Sequence, residues 1–342
     1  MVPTGFLPEL KNPNYPCDTD RPKAVGEYLS SRNFLERDER VRQLAPANAT
    51  GRNATWRVET TNRSFVVKQF RPWPVNGRVP PPPDDRFRAE CQFYRTARIA
   101  EGLDRALPAM LHHDCRVGCM ILEDVGAAGA VDPALTVAEA EALAWFLVRL
   151  HHHSQSVPAG ARYHNCGVVG WQMARLFEQR DPRSRADHGR WLARFAALGE
   201  PARHALEDAR AALGKEGASL VHGDFRATNW VRGVDGVLRV VDAEFSFFGP
   251  PEFDAGTFLA SLLFGRAKPE VVRAALGVLA SGCMRYQARL TCAFAAVQLC
   301  ALLDEGGNAA PAPRGAAASA LLRRLARAIE TGSLDVLVPA RQ

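Results

Sequence analysis

The chain has 342 residues, of which 47% are hydrophobic and 23% are charged. This composition excludes a disordered or fibrous protein, and at this length we expect one large domain or two lobes. The 43 basic and 37 acidic residues give a net charge of +6. Because the arginines are scattered rather than clustered, we predict no nucleic-acid partner, and anionic substrates fit this charge better.

The sequence contains no membrane-spanning pattern. Its best apolar run, residues 293–303, is far shorter than the roughly 20 residues of a transmembrane helix, and Gln298 interrupts it. Residues 1–10 lack the basic patch and apolar block of a secretory signal. We therefore expect a cytoplasmic protein with no membrane partner.

The first third of the chain combines helix and strand patterns. Residues 1–22 are rich in proline and predict an extended arm, and an apolar stripe over 23–40 predicts a helix. Strands are predicted over residues 41–45, 55–60, 64–70, 109–114 and 119–122. The proline-rich segment 71–85 indicates a linker or insertion, and a helix is predicted to begin near Asp84 or Asp85.

The composition changes at residues 126–129, and helix patterns dominate beyond this point. Thr136 and Glu139 form a capping-box sequence at the start of one helix, and the histidines 151–153 are predicted to cap its C-terminus. Further helices are predicted over 170–180, 187–213, 268–280, 284–303 and 317–331, and short strands over 219–221, 229–232 and 237–241.

Together these patterns predict an α+β fold with two lobes. An extended arm covers residues 1–22, a small β-rich N-lobe covers 23–125, and a larger helical C-lobe covers 126–342.

The segment from His222 to Asn229, His-Gly-Asp-Phe-Arg-Ala-Thr-Asn, lies between two short apolar strands, and Asp242 ends the strand that follows them. Burying a lone carboxylate at that place is unfavourable without a partner or a metal. In phosphoryl transfer from Mg-ATP, one carboxylate orients the attacking hydroxyl, while an asparagine and a second aspartate bind the metal. The spacing therefore predicts Asp224 as the catalytic residue and Asn229 and Asp242 as Mg²⁺ ligands. The structural alternative is a tight turn followed by a strand cap.

This chemistry also needs a lysine for the ATP phosphates and a glutamate that positions it. Lys68 lies on the apolar strand 64–70 and is one of only five lysines in the chain. Glu90 is predicted to position it, with Glu101 as a competing candidate near the end of the same helix. Taken alone, Lys68 is also compatible with a solubilising charge on an edge strand.

Two loops complete the predicted nucleotide site in the N-lobe. Gly51 and Asn53 lie where a phosphate-covering loop belongs, although residues 48–53 match neither a dinucleotide-binding nor a Walker pattern and are compatible with a plain hairpin turn. At the junction of the predicted lobes, the backbone of Glu123 and Val125 is predicted to contact the adenine.

These motifs resemble those of the aminoglycoside phosphotransferase and choline kinase superfamily, small-molecule kinases with a protein-kinase-like fold, over about residues 40–260. Within it, residues 241–256 are similar to the corresponding segment of methylthioribose kinases. The resemblance implies that Glu244 joins the metal ligands, that Asp254 anchors the loop, that the C-lobe holds the substrate, and that the protein forms a homodimer. The chain departs from methylthioribose kinases by keeping asparagine at position 229.

We therefore predict a kinase, dependent on ATP and Mg²⁺, that acts on a hydroxyl of a small sugar-like metabolite, with methylthioribose as the closest named acceptor. An aminoglycoside phosphotransferase is the first alternative. The seven arginines and four acids of residues 283–342 argue against it, because a polycationic antibiotic favours an acidic site. The second alternative is an inactive kinase-like binding module.

Overall fold

A computed structural model describes most of the chain, which is α+β as predicted. The described residues are 16–17, 21–47, 53–72, 81–126, 135–178, 189–305, 313 and 315–338. The chain forms two compact units, one made of residues 1–91 and 108–126 and the other of residues 92–107 and 127–342. Among the described helices, none combines the length and the apolar character that crossing a bilayer requires.

The N-terminal unit is built on a five-stranded antiparallel sheet with the strand order β1-β2-β3-β5-β4. Its strands are β1 (Val41–Pro46), β2 (Ala54–Thr60), β3 (Ser64–Gln69), β4 (Met110–Asp114) and β5 (Cys119–Glu123), and two helices accompany them, α1 (Pro22–Ser31) and α2 (Pro83–Ala97). The last residues of α2 belong to the C-terminal unit.

One face of the sheet packs against α1. Phe65 and Val67 of β3 join the buried cluster that contains Val25 and Leu29 of α1. Because successive side chains of a strand point to opposite faces, Lys68 lies on the other face. Lys68 pairs in register with Thr55 of β2 and Met120 of β5, so it occupies a central strand rather than an edge.

Helix α1 is shorter than the predicted helix over 23–40 because the chain turns immediately after Ser31. Asn33 adopts a left-handed conformation with φ 55°, and the N–H of Phe34 donates to the carbonyl of Leu29 at 3.0 Å. A left-handed asparagine that follows the last helical turn is a common way to end a helix.

Most of the predicted arm lies outside the described residues, but Cys17 packs against the sheet. Its side chain is fully buried. Its carbonyl accepts a hydrogen bond from Trp56 Nε1 at 3.1 Å, and its N–H donates to Gln69 Oε1 at 3.4 Å. At this point the chain is therefore held by the sheet.

The C-terminal unit is mainly helical, with two short antiparallel ribbons that pair β6 with β9 and β7 with β8. Its helices are α3 (Val137–Ser154), α4 (Cys166–Phe177), α5 (Arg190–Ala196), α6 (Glu200–Leu213), α7 (Glu252–Phe264), α8 (Pro269–Ser281), α9 (Ala288–Glu305) and α10 (Gly315–Thr331), and its strands are β6 (Ser219–Val221), β7 (Trp230–Arg232), β8 (Leu238–Val240) and β9 (Phe247–Gly249). Helix α3 begins with the predicted capping box of Thr136 and Glu139.

This unit differs from the sequence prediction in one divided helix and in two elements that were not predicted, helix α7 and strand β9. The helix predicted over 187–213 is divided into α5 and α6, because Gly199 has φ 140° and Pro201 follows at the start of α6. Helix α7 was not predicted, since nearly all of its residues are buried and its sequence has no polar face to reveal a helical period.

Helix α9 lies at the centre of the C-terminal unit and packs against α4, α5, α6, α7 and α10. Its approach to α7 is close, because a Cβ atom on Gly256 would lie 2.6 Å from Phe294 Cβ. Residues 92–107, predicted in the N-lobe, cluster with this unit. The ring of Phe93, for example, lies 5.3 Å from that of His222.

Candidate active site

The 222–229 loop leaves strand β6 and returns through a short 3-10 turn into β7. Gly223 has φ 82°, and a Cβ atom at this position would lie 1.9 Å from the carbonyl oxygen of Phe245. Both observations require glycine. The predicted His-Gly-Asp motif is therefore a bend that packs directly against the segment that follows Asp242.

Asp254, at the start of α7, holds the backbone of this loop through hydrogen bonds. Its Oδ2 accepts from the N–H of His222 at 2.6 Å, and its Oδ1 accepts from the N–H of Gly223 at 3.0 Å. The carboxylate is fully buried, and His151 Nε2 lies 3.2 Å from its Oδ2. His151 Nδ1 in turn lies 2.9 Å from the hydroxyl of Tyr286.

The prediction for His151 is wrong. Rather than capping the C-terminus of α3, its ring is fully buried and belongs to the hydrogen-bonded group that supports the 222–229 loop. The apolar stripe of α3 carried the signal, because His151 follows Leu147 at the helical spacing of four residues and falls on the buried face.

Asp224 is 8% exposed, and its carboxylate contacts both Arg226 and Asn229. Arg226 Nε lies 3.0 Å from Oδ1 and 3.1 Å from Oδ2. Asn229 Nδ2 donates to Oδ2 at 3.0 Å and to the backbone carbonyl of Asp224 at 2.8 Å. The loop thus brings two of the predicted site residues together and adds Arg226, which sequence reasoning missed although it stands two residues after Asp224.

His222 joins the loop to the segment that leads to Asp242. Its Nε2 donates to the carbonyl of Val241 at 3.0 Å, while its Nδ1 accepts from the N–H of Asp224 at 3.3 Å. Burial lowers the pKa of His222, against the opposing influence of Asp254. The neutral ring suits both contacts, because one ring nitrogen donates and the other accepts.

Asp242 lies beside Asn229 along the backbone. The N–H of Val241 donates to the carbonyl of Asn229 at 3.0 Å, and Asp242 then takes the left-handed conformation with φ 66°. Such a conformation is uncommon outside glycine and occurs often at functional sites. Glu244, two residues further on, is 2% exposed.

The described residues contain no group of three His, Cys, Asp or Glu side chains placed to hold a metal ion. Asn229 and Asp242 nevertheless carry side-chain oxygens that can ligate a metal, and they lie on adjacent segments. Asp224 engages Nδ2 of Asn229, and the amide oxygen of Asn229 accepts from the Thr228 hydroxyl at 3.3 Å and keeps a second lone pair. One or two protein oxygens suit Mg²⁺, which commonly completes its octahedron with water and phosphate oxygens.

In the N-terminal unit, Lys68 and Glu90 form a buried ion pair with Nζ and Oε2 2.5 Å apart. Lys68 is 5% exposed and Glu90 is fully buried. The structure therefore pairs Lys68 with Glu90 and not with the competing Glu101, which is exposed. The ammonium group also lies 4.8 Å above the ring of Phe70.

The predicted phosphate-covering loop is only partly described, since Gly51 lies outside the described residues. Asn53, at its end, is buried, and its Oδ1 accepts from Arg86 Nη1 at 3.0 Å. Arg86 is fully buried and also donates to the carbonyls of Pro81 and Arg71. This arginine, which sequence reasoning missed, fastens the loop end to the proline-rich insertion and to the end of β3.

Residues 123–125 follow β5. The N–H of Glu123 donates to the carbonyl of Ala109 at 2.8 Å and so belongs to the sheet. Asp124 accepts from Arg57 Nη2 at 2.8 Å and from the N–H of Gly126 at 2.9 Å. These bonds fix the backbone on both sides of Val125.

The profile of the phosphotransferase enzyme family matches residues 43–290, about three quarters of the chain. The chain belongs to this family. The sequence resemblance to aminoglycoside phosphotransferases and choline kinases is thereby confirmed, as is the prediction of a phosphotransferase enzyme at the level of the family.

Individual proteins are similar to this chain over a short sequence segment or in fold. A methylthioribose kinase from Geobacillus sp. (strain WCH70) is 41% identical over 56 residues, which are 16% of this chain and only 14% of that kinase. The choline kinase LicA from Streptococcus pneumoniae is 15% identical, with a TM-score of 0.50 over 90% of this chain and 98% of the other. Spectinomycin phosphotransferase APH(9)-Ia, in complex with ADP and spectinomycin, is 13% identical, with a TM-score of 0.52 over 91% and 98%. The two structures confirm the predicted bilobal protein-kinase-like fold.

Proposed function

We propose that this phosphotransferase moves the γ-phosphate of ATP to a hydroxyl group of a small sugar-like metabolite. The observation that carries the proposal is the placement of Asp224, whose carboxylate is held by Arg226 and Asn229 on a loop that Asp254 fixes. Phosphoryl transfer depends on positioning and charge neutralisation more than on covalent chemistry by the protein, and a rigidly held carboxylate serves positioning.

In this mechanism Asp224 accepts a hydrogen bond from the acceptor hydroxyl, orients its oxygen towards the phosphorus and takes its proton as the new bond forms. Arg226 and Asn229 keep the carboxylate in one orientation, because both donate to its Oδ2 and Arg226 also lies 3.0 Å from Oδ1. The side chain therefore does not need to reorganise when the acceptor binds.

The oxygen donors of Asn229, Asp242 and Glu244 would hold Mg²⁺. Carboxylate and amide oxygens are hard ligands, which is the donor set that this cation prefers. When bound, the metal supplies positive charge to the phosphate oxygens. The backbone bond from Val241 to Asn229 holds two of these ligand positions side by side.

The N-terminal unit would bind the nucleotide. Lys68, positioned by Glu90, suits the α- and β-phosphates, as a lysine does in related chemistry. Gly51 and Asn53 would border the phosphates, while the carbonyl of Glu123 and the N–H of Val125 would meet the adenine. The ADP complex of spectinomycin phosphotransferase supports a nucleotide partner for a protein of this fold.

We propose methylthioribose as the first acceptor to test. The 56-residue match to a methylthioribose kinase favours it over an aminoglycoside. So does the excess of arginine over acids in residues 283–342, because like charges would repel a polycationic antibiotic.

The test is release of ADP from Mg-ATP in the presence of methylthioribose, with wild type run beside Asp224→Asn and a no-acceptor control. We expect turnover in wild type and a loss of roughly 10²–10⁴-fold in the variant. Acceptor-dependent turnover that survives unchanged in Asp224→Asn would exclude the proposed role. If wild type releases no ADP above the control, methylthioribose is not the acceptor, and other sugars, aminoglycosides and amino alcohols follow in the same assay.

A further inference from the structure

Gln298 is the polar residue that interrupts the apolar run of α9, and the structure places it inside the helical unit. Its side chain is only 3% exposed. Its Oε1 accepts from Arg175 Nη2 of α4 at 3.0 Å, but its Nε2 has no hydrogen-bond partner among the described residues. A buried donor without an acceptor is unfavourable and needs an explanation.

A chain of hydrogen bonds connects Gln298 to the 222–229 loop. Arg175 Nε donates to Gln172 Oε1 at 3.1 Å, and Gln172 Nε2 donates to the carbonyl of Gly223 at 2.8 Å. Gly223 immediately precedes the proposed catalytic Asp224. We call the side chains of Gln172, Arg175 and Gln298 the α4–α9 relay. The relay is linked to the 222–229 loop by one hydrogen bond, to the carbonyl of Gly223.

Two further contacts hold α4 against the segment that follows Asp242. Trp171 stacks on Phe245 with ring centroids 4.6 Å apart, and Asn165 Nδ2 donates to the carbonyl of Ser246 at 3.3 Å. Together with Gln172, these residues fasten α4 beside both parts of the proposed active site, so a ligand near Asp224 would have α4 as a neighbour.

The polar groups of α4 and α9 near the 222–229 loop include several hydrogen-bond donors. Arg175 lies 5.6 Å from the ring centroid of Trp171, and Trp171 Nε1 is a second buried donor without a partner among the described residues. A guanidinium group has no acceptor capacity. Oxygen lone pairs satisfy such groups, whereas an ammonium ion meets a like charge at Arg175 and no acceptor at Gln298 Nε2 or Trp171 Nε1.

We propose that the α4–α9 relay selects the acceptor, admitting molecules that present hydroxyl or carboxylate oxygens and rejecting those that carry ammonium groups. Arg175 and Gln298 are the selecting side chains, and Gln172 is a positioning residue that ties them to the loop. This inference rests on the proposed function and names the chemical class of its acceptor.

The test compares acceptors and variants in the same ADP-release assay. The panel contains neutral methylthioribose and ribose, anionic gluconate, and cationic kanamycin and choline. The variants are Gln298→Leu and Gln298→Glu, and Gln287→Leu serves as a matched control because Gln287 is exposed and lies just before α9. Thermal unfolding of each variant shows which ones remain folded.

We expect wild type to prefer an oxygen-rich acceptor without an ammonium group. Gln298→Leu should raise the KM for that acceptor about tenfold, as expected for the loss of one buried hydrogen bond, and leave the KM for ATP unchanged. Gln298→Glu should lower the preference for neutral over cationic acceptors, and Gln287→Leu should change neither constant. A purely structural role would not separate the two KM values in this way.

Wild-type preference for kanamycin or choline would overturn the inference, and so would equal acceptor KM values in Gln298→Leu and Gln287→Leu. Failure of the proposed function looks different, because no acceptor then gives ADP. In that case calorimetric titration of methylthioribose and gluconate into wild type and Gln298→Leu still decides the inference. Binding by wild type that weakens about tenfold in the variant supports it, and absence of binding overturns it.

Discussion

Arg226 Nε donates to Oδ2 of Asp224 at 3.1 Å and lies 3.0 Å from Oδ1, from a position two residues along the same loop. The guanidinium side chain is 15% exposed and the carboxylate side chain 11%. An ion pair so enclosed is screened less by solvent than a surface pair. It therefore holds the proposed catalytic carboxylate in one orientation.

Replacing Arg226 should slow the reaction more than it weakens binding. We expect Arg226→Met to lower kcat by about tenfold or more, because Asp224 loses one of its two orienting partners. A small misplacement of a reacting group strongly lowers the reaction rate. Arg226→Lys should fall between wild type and Arg226→Met, since lysine keeps the charge but not the planar geometry. Steady-state ADP release measures this, and a kcat equal to wild type in both variants would contradict it.

Asp254 should be required for stability as well as for turnover. Asparagine offers only one oxygen, so Asp254→Asn leaves one of the N–H groups of His222 and Gly223 without its acceptor. We expect a loss of about 1–3 kcal/mol in the free energy of unfolding, measured by urea denaturation, together with a lower kcat. Asp208→Asn, on the exposed face of α6, is the control. Equal unfolding curves for the two variants would show that the loop does not depend on Asp254.

The pairing of Lys68 with Glu90 predicts different outcomes for Glu90, inside α2, and Glu101, which lies beyond its end. Glu90→Gln leaves a buried ammonium group without its charge partner, so we expect a raised KM for ATP and a loss of about 3 kcal/mol in stability. Glu101→Gln removes an exposed carboxylate and should change neither quantity. ATP titration in the ADP-release assay and urea denaturation measure both effects. The reverse ranking of the two variants would mean that Glu101 is the functional partner.

Glu139 should make stability depend on pH. Burial by itself raises its pKa, but hydrogen bonds from Thr136 and Arg232 outweigh that effect, so the pKa lies below its ordinary value of 4.5. As pH falls below about 4.5, the unfolded chain binds the proton before the folded protein does, and the stability contributed by Glu139 is lost.

The corresponding variant is Glu139→Gln, which keeps a capping side chain but loses the ion pair with Arg232. At pH 7 we expect it to be less stable than wild type by up to about 1 kcal/mol, since Arg232 is partly exposed. Between about pH 5 and pH 3 the melting temperature of wild type should fall more steeply than that of the variant. Glu207→Gln, an exposed residue of α6, should follow wild type. Parallel curves for wild type and Glu139→Gln would refute the assignment.

Where a local pattern decided the structure, sequence reasoning came close to it. The capping box of α3 appears at Thr136 and Glu139, because its two hydrogen bonds join residues only three apart. Short apolar runs and their spacing likewise predicted strand β3, the 222–229 loop and strand β8. Helix α7 was not predicted, because a helix buried on all sides shows no amphipathic period.

The sequence by itself determined the α+β class, the order of most elements and the family, because these depend on patterns within windows of a few residues. Only the tertiary structure decided that Lys68 meets Glu90, that His151 supports Asp254 from inside the unit, and that Gln298 is linked through Arg175 to the 222–229 loop. Arg175 and Gln298 are 123 positions apart. Contacts across such distances depend on how whole helices pack and on which polar groups that packing buries. The spacing of residues along the chain predicts neither.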